Sequence, residues 1–356
     1  MKKRKKILGN LLKFILFLSI GVVIFYLVYR NQNIAYLEQC AQDGVAAEDC
    51  SLVEKVLTDF RNANYFWIFM VLLAFLISNV SRAIRWNMLI RPLGYQPRFI
   101  NAFFTIIIGY FANLGLPRIG EVVRASTMAQ YERIPVQKVM GTVVVDRVVD
   151  VISILLLTSL AILLEFDTIF QFINEEVSLE ERIGGLTNLV LWAGGLMVIM
   201  AGLFWVFRQR LIQTAIYQRV LNIIQGFWQG IQTIAKLDRP WLFILHSINI
   251  WFMYYFMTYL CFFAFAPTAH LAPVVALVVF IFGAWGIVIP APGGMGTYHF
   301  MTQTALMMYG VSGEDGFSWA NIAFFSIQLG VNILVGLTSW LLLPVINRNY
   351  HPKTQV

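Results

Sequence analysis

Apolar residues run along this chain in blocks of about twenty separated by short polar stretches, a spacing that predicts membrane-crossing helices. Six blocks are long enough to cross: 7–29, 65–86, 146–165, 187–207, 241–265 and 317–343. Two more, 100–116 and 271–310, are shorter or interrupted. The first meets Leu116-Pro117-Arg118-Ile119-Gly120, and the second contains Pro290-Ala291-Pro292-Gly293-Gly294-Met295-Gly296-Thr297. Proline ends a helix by withholding a backbone donor, and glycine permits the angles of a tight reversal. No block alternates with a period of two, so the expected fold is an all-α, polytopic transmembrane helical bundle rather than a barrel.

Composition agrees: 59% of the residues are hydrophobic and only 13% charged. The charges decide orientation. MKKRKK precedes the first block and anchors it with the N-terminus in the cytoplasm, because Lys and Arg stay on that side. Segments 30–63, 166–186 and 266–270 are then outside, and 87–99, 208–240 and the tail from Asn347 inside. With this layout 22 of the 26 Lys and Arg are cytoplasmic, and 14 of the 19 acids fall outside. The net charge of +7 therefore reflects asymmetry across a cytoplasmic membrane and requires no nucleic-acid partner.

The same layout assigns the interrupted blocks. Residues 117–147 carry Arg118, Arg124, Arg133, Lys138 and Arg147, which resist export, so 100–116 must enter from the cytoplasm and return. Residues 271–310 lie between external segments and must enter and return from the opposite face. About six full spans plus two oppositely oriented re-entrant hairpins are expected, an arrangement like that of inverted repeats whose half-helices meet near the midplane. Irregular backbone at that depth needs protein groups or a wet cavity to satisfy it, and a cavity is expected. The chain reads as one membrane domain, 1–356: an anchor helix and external segment over 1–63, a core over 64–346 with an amphipathic cytoplasmic helix at 211–236, and a tail at 347–356.

Several polar residues sit where burial is costly. Arg118 and Arg124 flank Gly120-Glu121 at the start of the returning half-helix, and guanidinium groups suit phosphate. Gly293, Gly294, Gly296 and Thr297 resemble a backbone nest opening a helix, with His299 just beyond, a second place for an anion. Asp146 and Asp150 share a helical face with Arg147 in reach, forming an ion-pair lock or a gate that Glu121 could answer. Ser78, Ser81, Arg82 and Arg85 form a stripe at the cytoplasmic end of their span, lining an inner mouth or snorkelling to the interface. Cys40 and Cys50 lie outside, where a disulfide is permitted. The four histidines and three cysteines form no metal-ligand pattern, and no cofactor loop is present.

NLGLPRIGEVVRASTMAQ, then VVVDRVVDVISILLL and the late PAPGGMGT, with SRAIRW at 81–86, resemble the membrane domain of bacterial lysylphosphatidylglycerol synthases over roughly 65–345. That flippase-like family includes stand-alone members and archaeal relatives associated with lipid-linked sugars. The synthases carry a soluble aminoacyl-transferase domain after the membrane part, whereas this sequence ends at Val356; where the family often has an acid after the late glycines, His299 stands here. The resemblance implies movement of an anionic phospholipid or polyprenyl-phosphate-linked headgroup. Two other readings are a membrane-embedded transferase, for which Asp146, Asp150 and His299 are the candidates, and a membrane partner of a separately encoded lipid-modifying enzyme. The expected partners are membrane lipids, together with a second copy of the chain or such an enzyme.

Overall fold

The computed structural model describes residues 2–42, 44, 50–115, 119–177, 195, 234–289 and 294–352, which are helical with short connections. The expected span 187–207, most of the amphipathic helix 211–236, and Pro117, Arg118, Pro292 and Gly293 lie outside the described residues. The helices are α1 Lys2–Gln42, α2 Leu52–Asn62, α3 Tyr65–Ile90, α4 Phe99–Gly115, α5 Gly120–Glu132, α6 Val136–Leu164, α7 Phe166–Val177, α8 Pro240–Phe262, α9 Pro273–Val288, α10 Thr297–Met307 and α11 Gly313–Ala323. A π-helical segment, Phe324–Val331, joins α11 to α12 Asn332–Ile346.

Among the described residues three helical stretches are both long and apolar enough to cross a bilayer: Tyr65–Leu93, Val136–Leu164 and Gly313–Ile346. The 23 residues of α8 reach about 35 Å, also sufficient, though Tyr and Trp lower its hydropathy. Outward apolar side chains such as Leu163, Leu334 and Val345 are 78%, 65% and 67% exposed, which suits a lipid-facing surface and would be costly in water.

The remaining core helices are too short to cross. At 1.5 Å per residue, α4 and α5 reach about 25 and 20 Å, and α9 and α10 about 24 and 16 Å, against roughly 30 Å of hydrocarbon. Each pair doubles back on itself. In hairpin 1 (α4–α5), Asn101 near the start donates to Glu132 at the end, at 2.6 Å. In hairpin 2 (α9–α10), the chain leaves from Pro273 and returns to Tyr309, whose hydroxyl meets Glu165 at the far end of α6, at 3.1 Å.

The two hairpins enter from opposite ends of the bundle. At one end, the Asn64 amide beside α3 donates to Ala264 O after α8 (2.8 Å), and Lys55 pairs with Asp315 (2.6 Å). At the other, Asn347 after α12 exchanges hydrogen bonds with Asn101, and Glu132 accepts from the Arg98 amide and the Tyr350 hydroxyl. Burial and the Glu132 carboxylate hold that hydroxyl protonated far above its ordinary range. Antiparallel α3 and α8 share the long central contact, with Asn249 donating to Ser81 at 2.7 Å. Thus α3, hairpin 1 and α6 form one span–hairpin–span unit, and α8, hairpin 2 and α11–α12 form another of opposite direction. The main apolar core fills the hairpin 2 half, with Phe262, Trp319 and Phe324 fully buried.

Candidate functional site

Glycine makes both hairpins close. A Cβ on Gly120 would meet the Gly109 carbonyl, and one on Gly286 would lie 2.9 Å from Thr297 O. One amide beside each turn is taken by a side chain: Asn113 Oδ1 accepts from Gly120 N at 2.7 Å, and His299 Nδ1 from Gly296 N at 3.4 Å. The expected wet cavity centres on 116–118 and 290–293, which lie outside the described residues; at the flanks of both turns protein groups already satisfy part of the irregular backbone.

Between α3, α5 and α6 the interior is ionic. Arg85 reaches Asp146 Oδ1 at 2.6 Å and Asp150 Oδ1 at 2.8 Å; Arg82 reaches Asp150 Oδ2 at 2.8 Å and Asp146 Oδ2 at 3.5 Å; Arg124 reaches Asp146 Oδ2 at 2.9 Å. Arg147 adds a contact to Asp150 at 3.2 Å and meets Glu121 at 3.4 Å. Helical periodicity builds this: Arg82 and Arg85 are three apart on α3, Asp146 and Asp150 four apart on α6, so two pairs face each other. Arg85 and Asp146 are inaccessible and Arg124 is 2% exposed, whereas the Arg147 side chain at 39% forms the margin.

Burying a charge costs several kcal/mol unless it is paired. Every oxygen of Asp146 and Asp150 has a partner, yet the Nε groups of Arg82, Arg85 and Arg124 and Nη2 of Arg124 have none among the described residues. Four guanidinium groups face three carboxylates, leaving one positive charge in excess. Unpartnered donors outnumber unpartnered acceptors there, of which Glu121 Oε2 is one. Trp86 lies beneath Arg124, ring centroid 3.9 Å from the guanidinium carbon, and its indole N–H is held by Thr142 at 2.9 Å. The stacked face is apolar, so the free edge of Arg124 stays available. Close by, Tyr254 lies under Arg82 at 5.8 Å and its hydroxyl meets that of Tyr110 at 3.2 Å.

The structure brings Arg124, Glu121, Asp146, Arg147 and Asp150 together as one cluster and adds Arg82 and Arg85, expected at an inner mouth. Those two do not snorkel because the α6 carboxylates hold them inside. Gly294, Gly296, Thr297 and His299 go elsewhere. They contact hairpin 2, α1, α11 and the π segment: Thr297 donates to Gly286 O at 2.6 Å, and His299, 1% exposed, lies 5.0 Å from Phe25 and 4.7 Å from Phe324 by ring centroid. Arg118 and Gly293 lie outside the described residues. Sequence reasoning missed Trp86, Thr142, Tyr110 and Tyr254; the signal available was two spans carrying paired opposite charges at one helical spacing. Among the described residues no group of acids, histidines and cysteines could hold a metal.

The family description "Lysylphosphatidylglycerol synthase TM region" matches residues 51–336. A relative named "UPF0104 membrane protein MJ1595", from Methanocaldococcus jannaschii, is 30% identical over 109 residues, 30% of this chain and 32% of that protein. The chain therefore spans about a third of the curated relative it matches. No solved structure matches. The 51–336 match runs from the N-cap of α2 into α12 and takes in both hairpins and the whole arginine–aspartate cluster, so this integral membrane protein belongs to the lysylphosphatidylglycerol synthase TM-region family.

Proposed function

We propose that the protein carries the anionic headgroup of a lipid, a phospholipid or a polyprenyl-phosphate-linked carrier, across the cytoplasmic membrane, with both termini in the cytoplasm. The observation that carries this reading is the buried Arg124 guanidinium, stacked on Trp86, paired to Asp146 through one nitrogen, its Nε and Nη2 unpartnered in a cluster short of acceptors. A phosphate oxygen supplies what is short. On arrival it competes with Asp146 for Arg124 and with Asp150 for Arg82, and the Glu121–Arg147 pair at the exposed margin opens first. Hairpin 1, framed by these ion pairs, is the element that moves. Family membership and the apolar exterior support a lipid setting, and Arg91, Arg98, Arg133, Arg239 and Arg348 near the Asn347 end support a cytoplasmic placement of that end.

The test is transbilayer exchange in vesicles containing the purified protein, with fluorescent phosphatidylglycerol and phosphatidylcholine as probes. The wild type should accelerate exchange of the anionic probe without altering it chemically. A charge-assisted hydrogen bond contributes about 1.5–3 kcal/mol, so Arg124→Ala should slow exchange roughly ten- to hundredfold. Equal rates for Arg124→Ala and wild type would remove this reading, and conversion of the probe to a new species would replace it with a transferase.

A further inference from the structure

We propose that α1 and α2 form a disulfide-closed strap that immobilises hairpin 2, and that opening the Cys40–Cys50 bond loosens hairpin 2 while leaving hairpin 1 as it was. The family match starts at residue 51, so nothing in the shared region accounts for α1. Its buried positions Gly21, Val28 and Gln32 follow one helical stripe with half-buried Phe25, while Val22, Val23, Tyr26 and Leu27 are exposed, and Cys40 is buried farther along.

The stripe lies on hairpin 2. A Cβ on Gly296, which has φ +81°, would sit 2.6 Å from the Phe25 amide nitrogen and 2.7 Å from the Gly21 carbonyl, so the α1 backbone rests against the turn. The Phe25 ring meets His299 edge-on at 5.0 Å and Phe317 of α11 at 5.8 Å. Val28, Leu52 and Phe317 form a small core joining α1, α2 and α11. Cys40 is bonded to Cys50, beside Ser51, the N-cap of α2. From α2, Lys55 reaches Asp315 at 2.6 Å and Asp59 accepts from Ser318 at 2.7 Å, returning the path to α11, which packs on α10.

The covalent link matters because of the solvent. Lipid tails are as apolar as leucine, so no hydrophobic force holds a single helix against its neighbours and packing alone must do so. The chain already ties α1 to α2, and the Cys40–Cys50 bond shortens that tie, so α1 samples fewer positions relative to α2 and stays longer against hairpin 2. Reduction is a two-electron step: a dithiol supplies two electrons and two protons, the S–S bond becomes two thiols, and the dithiol closes to its own disulfide.

Hydrogen–deuterium exchange on the full chain in lipid nanodiscs tests the strap. The Cys40→Ser/Cys50→Ser variant should exchange amides of Thr297–Met307 roughly tenfold faster than wild type, with Gly120–Glu132 unchanged. Dithiothreitol on the wild type should give the same pattern. Phe25→Ala, which keeps the disulfide, should speed exchange in the same segment, so failure of the serine variant to fold leaves a second route. Unchanged exchange in Thr297–Met307, or equal acceleration in both hairpins, would overturn the strap. Exchange reads no lipid movement, so this outcome and that of the vesicle assay stand apart.

Discussion

In hairpin 1 the half-helices cross at Gly109 and Gly120 and Asn113 takes the turn amide; in hairpin 2 they close at Gly286 and Thr297 and His299 takes it. The spans that follow differ. The first half of α6 carries Asp146 and Asp150, bound to three buried arginines, whereas α11 has one buried acid, Glu314, in its first turn and presents Ser318 and Asn321 farther along. Buried ions cost several kcal/mol each before pairing, and hairpin 2 reaches the same re-entrant form without a buried arginine–aspartate cluster around it. The cluster beside hairpin 1 is therefore not required by re-entrant folding as such.

The sharpest way to break this contrast is Asp146→Ala, which strips the partner from Arg124 and one of the partners from Arg85 and Arg82. It should cost about 3–5 kcal/mol, read as a fall in the thermal midpoint of the solubilised protein. Asp146→Asn should recover part of that loss by keeping the volume and one acceptor. Gly120→Ala should come next at about 1–3 kcal/mol, because its Cβ meets the Gly109 carbonyl and backbone cannot swing aside. Gly286→Ala should cost less, since its nearest contact is longer.

His299→Phe should be milder, about 1 kcal/mol, because the ring contacts with Phe25 and Phe324 survive while the bond from Gly296 N is lost. Lipid exchange by this variant should match wild type; a loss as large as that of Arg124→Ala would bring hairpin 2 back into the site. Smallest is Lys55→Met, below about 1 kcal/mol for a partly exposed pair. Burial lowers the Lys55 pKa, but the Asp315 and Asp59 carboxylates more than offset this and raise it above its ordinary value. With the folded value raised, the contribution is complete below the unfolded value of about 10.4 and disappears as pH climbs through the folded one. The two proteins should thus converge in strongly alkaline buffer when their unfolding is compared.

Among the described residues, periodicity and charge made the spans and the two short helix pairs legible, because apolar length and the side preference of arginine are properties of local sequence. Legibility stopped where a side chain's partner lies on a distant segment. Arg82 and Arg85 read as residues of a span end, since nothing within α3 announces that Asp146 and Asp150 face them 61 to 68 positions away. His299 read as a ligand candidate because it follows a glycine turn, and only the packing of Phe25, Phe317 and Phe324 around it reveals a cap inside an aromatic cage. Helix α1 extends to Gln42, beyond the expected span at 29, because the pattern marks where oil ends and helices need not stop there. Trp86 had no local signal at all, as an indole in an apolar run is expected in any bundle.

Glu132 gives the tail a mechanical meaning. One of its carboxylate oxygens grips the base of hairpin 1 through Arg98 N and Asn101, the other holds Tyr350, and the Arg98 guanidinium stacks on that ring at 4.5 Å. Through this one carboxylate Tyr350 is fastened to the foot of the arginine-bearing helix pair, so a change at Glu132 releases both the tail and the start of hairpin 1 at once.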